Sequence, residues 1–306
     1  MRFAISIPQF VADGEFDPAG MRAFLTRAEA LGFDSAWTQE QLLGTNPQLG
    51  ALETMTYAAA CTETLRLGCA VFVTPLHMPV HLAKSLSTLD QLSRGRLEVG
   101  VGTGGRHRPF AAFGIDGEGL IARFNEGLAL LKALWTQPEV TFDGRFWQLE
   151  GAGMEPKPFQ KPHPPIWFGG SHPAALKRAV KHGDGFFGAG SSTTAQFIEQ
   201  VPIVRAELEQ QGRDPATFGF AKRVYVVVDD DVDRARRQVS DGLGSIYRGF
   251  GVPDLTPVAV YGTPADCVRG AREVADAGAE LILFTPLADP AEQLERLAAE
   301  VIPHLG

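Results

Sequence analysis

Two periods alternate along the chain. Short runs that are apolar on both faces recur, separated by stretches with an apolar residue every three or four positions. The first kind reads as a buried parallel strand and the second as an amphipathic helix. Eight strand-like runs occur in order: Arg2–Pro8, Phe33–Thr38, Leu65–Val73, Leu97–Val101, Pro165–Phe168, Asp184–Gly188, Ala221–Val228 and Glu280–Phe284. Asp17 and Pro18 form a helix-start pair ahead of the stripe Met21, Phe24, Leu25, Ala28 and Leu31, which Gly32 ends. Leu82, Leu86 and Leu89 mark a helix after the third strand, and another runs from Pro173 to Lys181. Thr263, Pro264 and Asp266 open the helix before the eighth strand, and Gly278 closes it.

Eight strand–helix units in 306 residues predict an α/β fold, a single (β/α)8 barrel domain over 1–306. An open doubly wound sheet is the alternative, because a sequence does not display closure. Two segments exceed an ordinary connection and read as insertions after strands 4 and 7. Residues 102–164 hold a helix (Ile121–Trp135), the apolar–aromatic stretch Val140–Leu149 and a proline-rich run; residues 229–263 hold a helix and the loop Gly249–Pro257.

Composition narrows the function. A net charge of −8 and a pI near 5.4 set nucleic-acid binding aside. The three cysteines, Cys61, Cys69 and Cys267, show no paired spacing and read as small buried residues. No apolar run reaches the roughly 18 residues of a membrane span, and the first residues read as a strand rather than a leader. A cytoplasmic location is the expectation, with neither membrane nor nucleic acid as partner.

Candidate chemistry gathers at strand ends. Gly100-Val101-Gly102-Thr103-Gly104-Gly105 satisfies the dinucleotide fingerprint, but Pro109 follows where a helix should open. The glycines either make a plain turn or let a flat ring approach the backbone. Phe168-Gly169-Gly170-Ser171-His172-Pro173 ends the fifth strand and starts a helix; its amides suit a phosphate, or simply make a serine-capped turn. His77 and His81 lie four apart without a glutamate between them and read as a helix-start pair rather than a metal site. Asp229-Asp230-Asp231 with Asp233 reads as a capping turn.

In their order these segments resemble the luciferase-like monooxygenase superfamily, most closely its coenzyme F-420-dependent branch. The resemblance rests on Leu31-Gly32-Phe33-Asp34-Ser35-Ala36-Trp37, Leu65-Arg66-Leu67-Gly68, Val73-Thr74-Pro75, Leu89-Asp90-Gln91-Leu92-Ser93 and Gly95-Arg96-Leu97. It continues through Gly100–Gly104, Pro165–Gly170 and Gly183-Asp184-Gly185-Phe186. It implies the barrel fold, a homodimer and a non-proline cis peptide at Ala70–Val71 behind the central ring of a flavin or deazaflavin. It implies that Thr103 and Gly104 line the ring, that Gly169, Gly170 and Ser171 face the cofactor phosphate, and that Gly190, Ser191 and Ser192 lie on the same side. Relatives often end the second strand with Asp-His; here Thr38-Gln39-Glu40-Gln41 stands instead. Glu40 keeps a carboxylate, either as a proton donor or acceptor or as a structural hydrogen-bond partner. The glutamate that often follows Gly-Thr-Gly is Gly105, and a lysine common near the phosphate is a serine.

The expected function is hydride transfer between coenzyme F-420 and a small organic substrate, with Glu40 as the candidate catalytic residue. The alternatives are an FMN-dependent monooxygenase fed by a partner flavin reductase, and a flavin-binding barrel without turnover. Arg106, Arg108, Lys177 and Arg178 are candidates for a basic track toward the acidic tail of F-420. Trp37, Phe72, Phe10 and Trp167 are candidates for apolar walls.

Overall fold

The computed structural model describes residues 1–10, 15–104, 110–247 and 254–306. Gly105, Arg106, His107, Arg108 and most of the Gly249–Pro257 loop lie outside the described residues. In chain order the first half comprises β1 (Arg2–Ser6), α1 (Pro18–Ala30), β2 (Ser35–Thr38), α2 (Ala51–Cys61), β3 (Arg66–Val73), α3 (Pro79–Leu92), β4 (Leu97–Gly102), α4 (Leu120–Thr136), β5 (Val140–Asp143) and β6 (Gln148–Ala152). The second half comprises β7 (Ile166–Gly169), α5 (Pro173–His182), β8 (Gly185–Gly188), α6 (Thr194–Gln210), β9 (Gly219–Val228), α7 (Val232–Ile246), β10 (Ala259–Gly262), α8 (Pro264–Asp276), β11 (Leu281–Pro286) and α9 (Pro290–Arg296).

The eight expected strands are β1, β2, β3, β4, β7, β8, β9 and β11. They pair in parallel in that order, and β11 pairs with β1, which closes the barrel and removes the open-sheet alternative. Local chemistry sets the element ends. The Asp17 side chain accepts from the Ala19 amide at 2.9 Å, and Thr263 with Asp266 forms a reciprocal capping box. Gly278 ends α8 at φ +106°, a left-handed backbone that disfavours other residues.

β10 went unread in the sequence. It is four residues long and lies against Tyr225–Val228, the upper half of β9, beyond the part that pairs with β8. Its four residues, three of them only half-buried, are too few to stand out as a strand ahead of α8. In the other insertion, Val140–Leu149 folds into the antiparallel pair β5–β6. The aspartate run behaves as expected: Asp231 caps α7, and Asp229 pairs with Arg234 at 2.6 Å. Cys61, Cys69 and Cys267 are free thiols, the last two buried. Among the described residues no helix is long and apolar enough to cross a membrane.

The barrel interior is filled by Trp37, Trp167 and Phe187 with small and aliphatic neighbours such as Ala4, Ala221 and Leu283. Trp37 and Phe187 meet edge-on at 4.9 Å between ring centres. Gly68 and Gly219 make the room: a Cβ at either would fall within 2.3–2.5 Å of a tryptophan ring. At the N-terminal end of the strands Glu98, 1% exposed, accepts from Trp167 Nε1 at 2.7 Å and Arg66 Nε at 2.5 Å, and also pairs with Arg2. Glu98→Gln removes the charge facing two guanidinium groups and is expected to cost about 2 kcal/mol. Thermal unfolding should shift down by about 5 °C with ligand binding unchanged, because this end of a barrel serves stability.

Candidate cofactor and substrate cleft

A cleft of about 540 Å³ opens at the C-terminal ends of the strands, where barrel active sites lie. Its floor is a bulge in β3. Pairing with β4 slips between Cys69 and Phe72, and the Ala70–Val71 peptide is cis, as the resemblance implied. Ala70 and Val71 line the cleft, half-buried in an otherwise buried strand end. Neighbouring strands accommodate the bulge with glycine. A Cβ at Gly100 would lie 2.0 Å from the Cys69 carbonyl oxygen. At Gly102 and Gly169 it would lie 2.6 and 2.8 Å from the two Val71 methyl groups. The two glycine motifs of the sequence thus meet around one side chain.

Seven of the nine expected cofactor-binding residues line this cleft: Ala70, Val71, Gly104, Gly169, Gly170, Gly190 and Ser191. Thr103 and Ser171 do not. Thr103 is turned along the backbone toward the Gly104 carbonyl, and Ser171 is exposed where the chain leaves β7. Nor does Ser171 cap α5; His172 does, its Nδ1 accepting from the Ala174 amide at 3.2 Å. Among the described residues the amides of Gly170, Gly190 and Ser191 donate to no protein acceptor, so three donors on two loops border the cleft.

Glu40 is 8% exposed and lines the cleft. Its Oε2 accepts from the Val73 amide at 2.7 Å, and its Oε1 lies 2.9 Å from His77 Nε2. His77, read from the sequence as half of a helix-start pair, does stand just before α3 and is also the imidazole partner of this carboxylate. His81 takes no part, and among the described residues no group of three or more His, Cys, Asp or Glu could hold a metal.

The most buried charges at the cleft went unread. Arg223 of β9 is 6% exposed; its Nη1 donates to Gln39 Oε1 at 2.6 Å and its Nη2 to the Ala70 carbonyl at 3.0 Å. It is the one cation among the described lining residues. Lys177 and Arg178 do not converge here; Lys177 is largely exposed and pairs with Glu207 at 3.3 Å. The only signal for Arg223 was a basic pair, Lys222-Arg223, inside a strand buried along its length.

Lys222 lies beneath the loop that carries Gly190 and Ser191. Its Nζ donates to the carbonyls of Ala189, Ser192 and Arg223 at 2.6–2.9 Å, three acceptors that only an ammonium can serve together. Burial, and then the neighbouring Arg223 charge, pushes its pKa down to about 7. An unfolded lysine titrates near ~10.4, so between these values the unfolded chain binds a proton that the folded chain does not. Wild-type stability should therefore rise with pH above about 7 relative to Lys222→Met, by about 2 kcal/mol between pH 7 and pH 9. Urea unfolding of both proteins at the two pH values checks this; parallel curves would exclude it.

Residues 1–280 match the family model of the luciferase-like monooxygenases. The chain is 28% identical to a coenzyme F-420-dependent glucose-6-phosphate dehydrogenase of Beutenbergia cavernae, across 95% of this chain and 94% of that one. It is 30% identical to an FMNH2-dependent dimethylsulfone monooxygenase of Pseudomonas putida across 70% of this chain, and spans only 59% of that protein's length. The fold superposes on a coenzyme F-420-dependent secondary alcohol dehydrogenase with a TM-score of 0.86 at 19% identity, covering 100% and 99% of the two chains. With the closed barrel and a family match that runs through nine tenths of its length, the chain belongs to the luciferase-like monooxygenase family.

Proposed function

We propose that this protein is an oxidoreductase that transfers a hydride between coenzyme F-420 and a small organic substrate. The observation that carries this reading is similarity along 94% of the length of F-420-dependent relatives, set against 59% of the length of an FMN-dependent relative. The cleft suits such a group. Its volume falls in the roughly 300–1,000 Å³ range of small-molecule sites, with an apolar floor and few, convergent polar groups. Ala70 and Val71 would back the ring, with Gly104 and Gly169 beside it. The amides of Gly170, Gly190 and Ser191 would take the phosphate, and Arg223 supplies the matching positive charge. When bound, the cofactor supplies the hydride chemistry; the protein orients it and excludes water.

Glu40 faces the cleft, with His77 behind it at hydrogen-bond distance. A proton held at Glu40 Oε1 has a route to the partly exposed imidazole. Glu40→Gln can keep the hydrogen bond from the Val73 amide but cannot hold a proton. It should lower turnover at least tenfold with cofactor affinity little changed; unchanged turnover would remove Glu40 from the chemistry.

An FMN-dependent monooxygenase served by a reductase is the second reading, favoured by the Pseudomonas putida relative and by a phosphate site that FMN would share. Fluorescence titration of the protein with coenzyme F-420 and with FMN separates the two. Micromolar or tighter binding of F-420 with weak FMN binding is expected. A preference for FMN would overturn the deazaflavin reading and direct the search to oxygen uptake and a reductase.

A further inference from the structure

A second lobe of about 410 Å³ adjoins the cleft and shares Gln39, Asn46 and Ile246 with it. Its walls are apolar, with Phe10, Trp37, Pro286 and Leu287 among them. Phe10 is a large side chain that lines the lobe and is 42% exposed.

Several polar side chains of the lobe are tied from within. Gln9 donates to the Gln39 and Leu49 carbonyls and accepts from the Gln39 amide. Gln39 Oε1 is taken by Arg223, and Asn46 donates to the Ser245 carbonyl. Asp289, the one charged side chain among the described lining residues, accepts from the Glu292 amide at the start of α9. A phosphorylated or carboxylated molecule would lose its water here with no counter-charge, at a cost of several kcal/mol.

One pair of hydroxyls lies where two barrel strands end. Ser6 Oγ and Thr285 Oγ1, at the ends of the adjacent strands β1 and β11, lie 2.6 Å apart. Two hydroxyls bring two protons, and their mutual bond uses one. Among the described residues no acceptor takes the other. Ser6 is half-buried and both residues line the lobe, so the second proton is available to a ligand oxygen that displaces water.

We propose that this lobe binds a neutral, mainly apolar molecule bearing one carbonyl or hydroxyl oxygen, seated on the Ser6–Thr285 hydroxyl pair. As the class of substrate, this rests on the oxidoreductase reading of the neighbouring cleft; as a statement about binding, it is tested without any cofactor. The probes are cyclohexyl methyl ketone and cyclohexanecarboxylate, close in shape and differing in charge, titrated calorimetrically into the whole protein at pH 8. The ketone should bind at least tenfold more tightly. Ser6→Ala combined with Thr285→Val should weaken ketone binding about tenfold, whereas Thr285→Ser should retain it and shows that the site tolerates change. Leu287→Arg should reverse the preference in favour of the carboxylate. Equal binding of the two probes, tighter binding of the carboxylate, or ketone binding indifferent to loss of both hydroxyls would each overturn the proposal. Failure of coenzyme F-420 to bind, with the ketone preference intact, would overturn only the cofactor reading.

Discussion

Gly100→Ala is expected to lower the unfolding midpoint by about 10 °C, the largest loss expected from a methyl added at any described glycine. The new carbon would lie 2.0 Å from the Cys69 carbonyl oxygen and 3.3 Å from the Ala70 Cα. Both are backbone atoms of β3, which is hydrogen-bonded between β2 and β4 and has no direction in which to retreat. β4 is fixed in turn by β7, whose Trp167 is the register partner of Gly100. Overpacking of this kind costs about 3 kcal/mol or more, a large share of a typical net stability of ~5–15 kcal/mol. Gly102→Ala is the control. Its nearest obstacle is a methyl of Val71, a side-chain atom on the cleft side, so about 1 kcal/mol is expected. Any accommodation there displaces the floor, so Gly102→Ala should weaken cofactor binding more than it weakens the fold. Differential scanning calorimetry of the two variants tests the order, and equal losses would show that β3 and β4 can slide apart.

Arg223→Met should weaken binding of an anionic cofactor about 100-fold, about 2.7 kcal/mol. The substitution nearly conserves length and apolar volume, but it removes the one cation among the described lining residues. It also leaves Gln39 Oε1 and the Ala70 carbonyl without their donor. Those two acceptors belong to the end of β2 and to the bulge of β3, so the arginine joins the two elements that frame the floor. A thermal shift equivalent to about 1–3 kcal/mol should accompany the loss of affinity. Arg223→Lys should recover the charge and only part of the affinity, because an ammonium does not reproduce a fork that serves two acceptors at once. Binding of the neutral ketone in the second lobe should be little changed, which separates loss of a charge from collapse of the site. If the affinities for the anionic cofactor and for the neutral ketone fell together, the arginine would be a structural tie and nothing more.

Much of the fold was legible because its determinants are local. Period, caps and breakers act within about four residues, so Asp17, Thr263 with Asp266, and Gly278 set their helix ends wherever the chain goes. Runs apolar on both faces declare strands covered on both sides, and eight of them alternating with helices suit a barrel or an open doubly wound sheet. The glycine motifs were visible too, together with the residues of the bulge at Ala70 and Val71. The sequence alone therefore determined the strand–helix order, the resemblance to the family and the glycine loops that border the cleft, while closure into a barrel came from the pairing of β11 with β1. Which side chains meet there was decided only by tertiary structure. Glu40 finds His77 across 37 positions, Arg223 finds Gln39 across 184, and Ser6 finds Thr285 across 279. No local period encodes such pairs; barrel closure and strand register bring them together. Thr103 and Ser171, each just past a strand end, do not line the cleft although their neighbours do. Closure also buried Lys222 and Arg223, two charges that a single strand shows only as an anomaly in an apolar run. A strand's pattern says which faces are covered; the register of its neighbours says what each covered charge will touch.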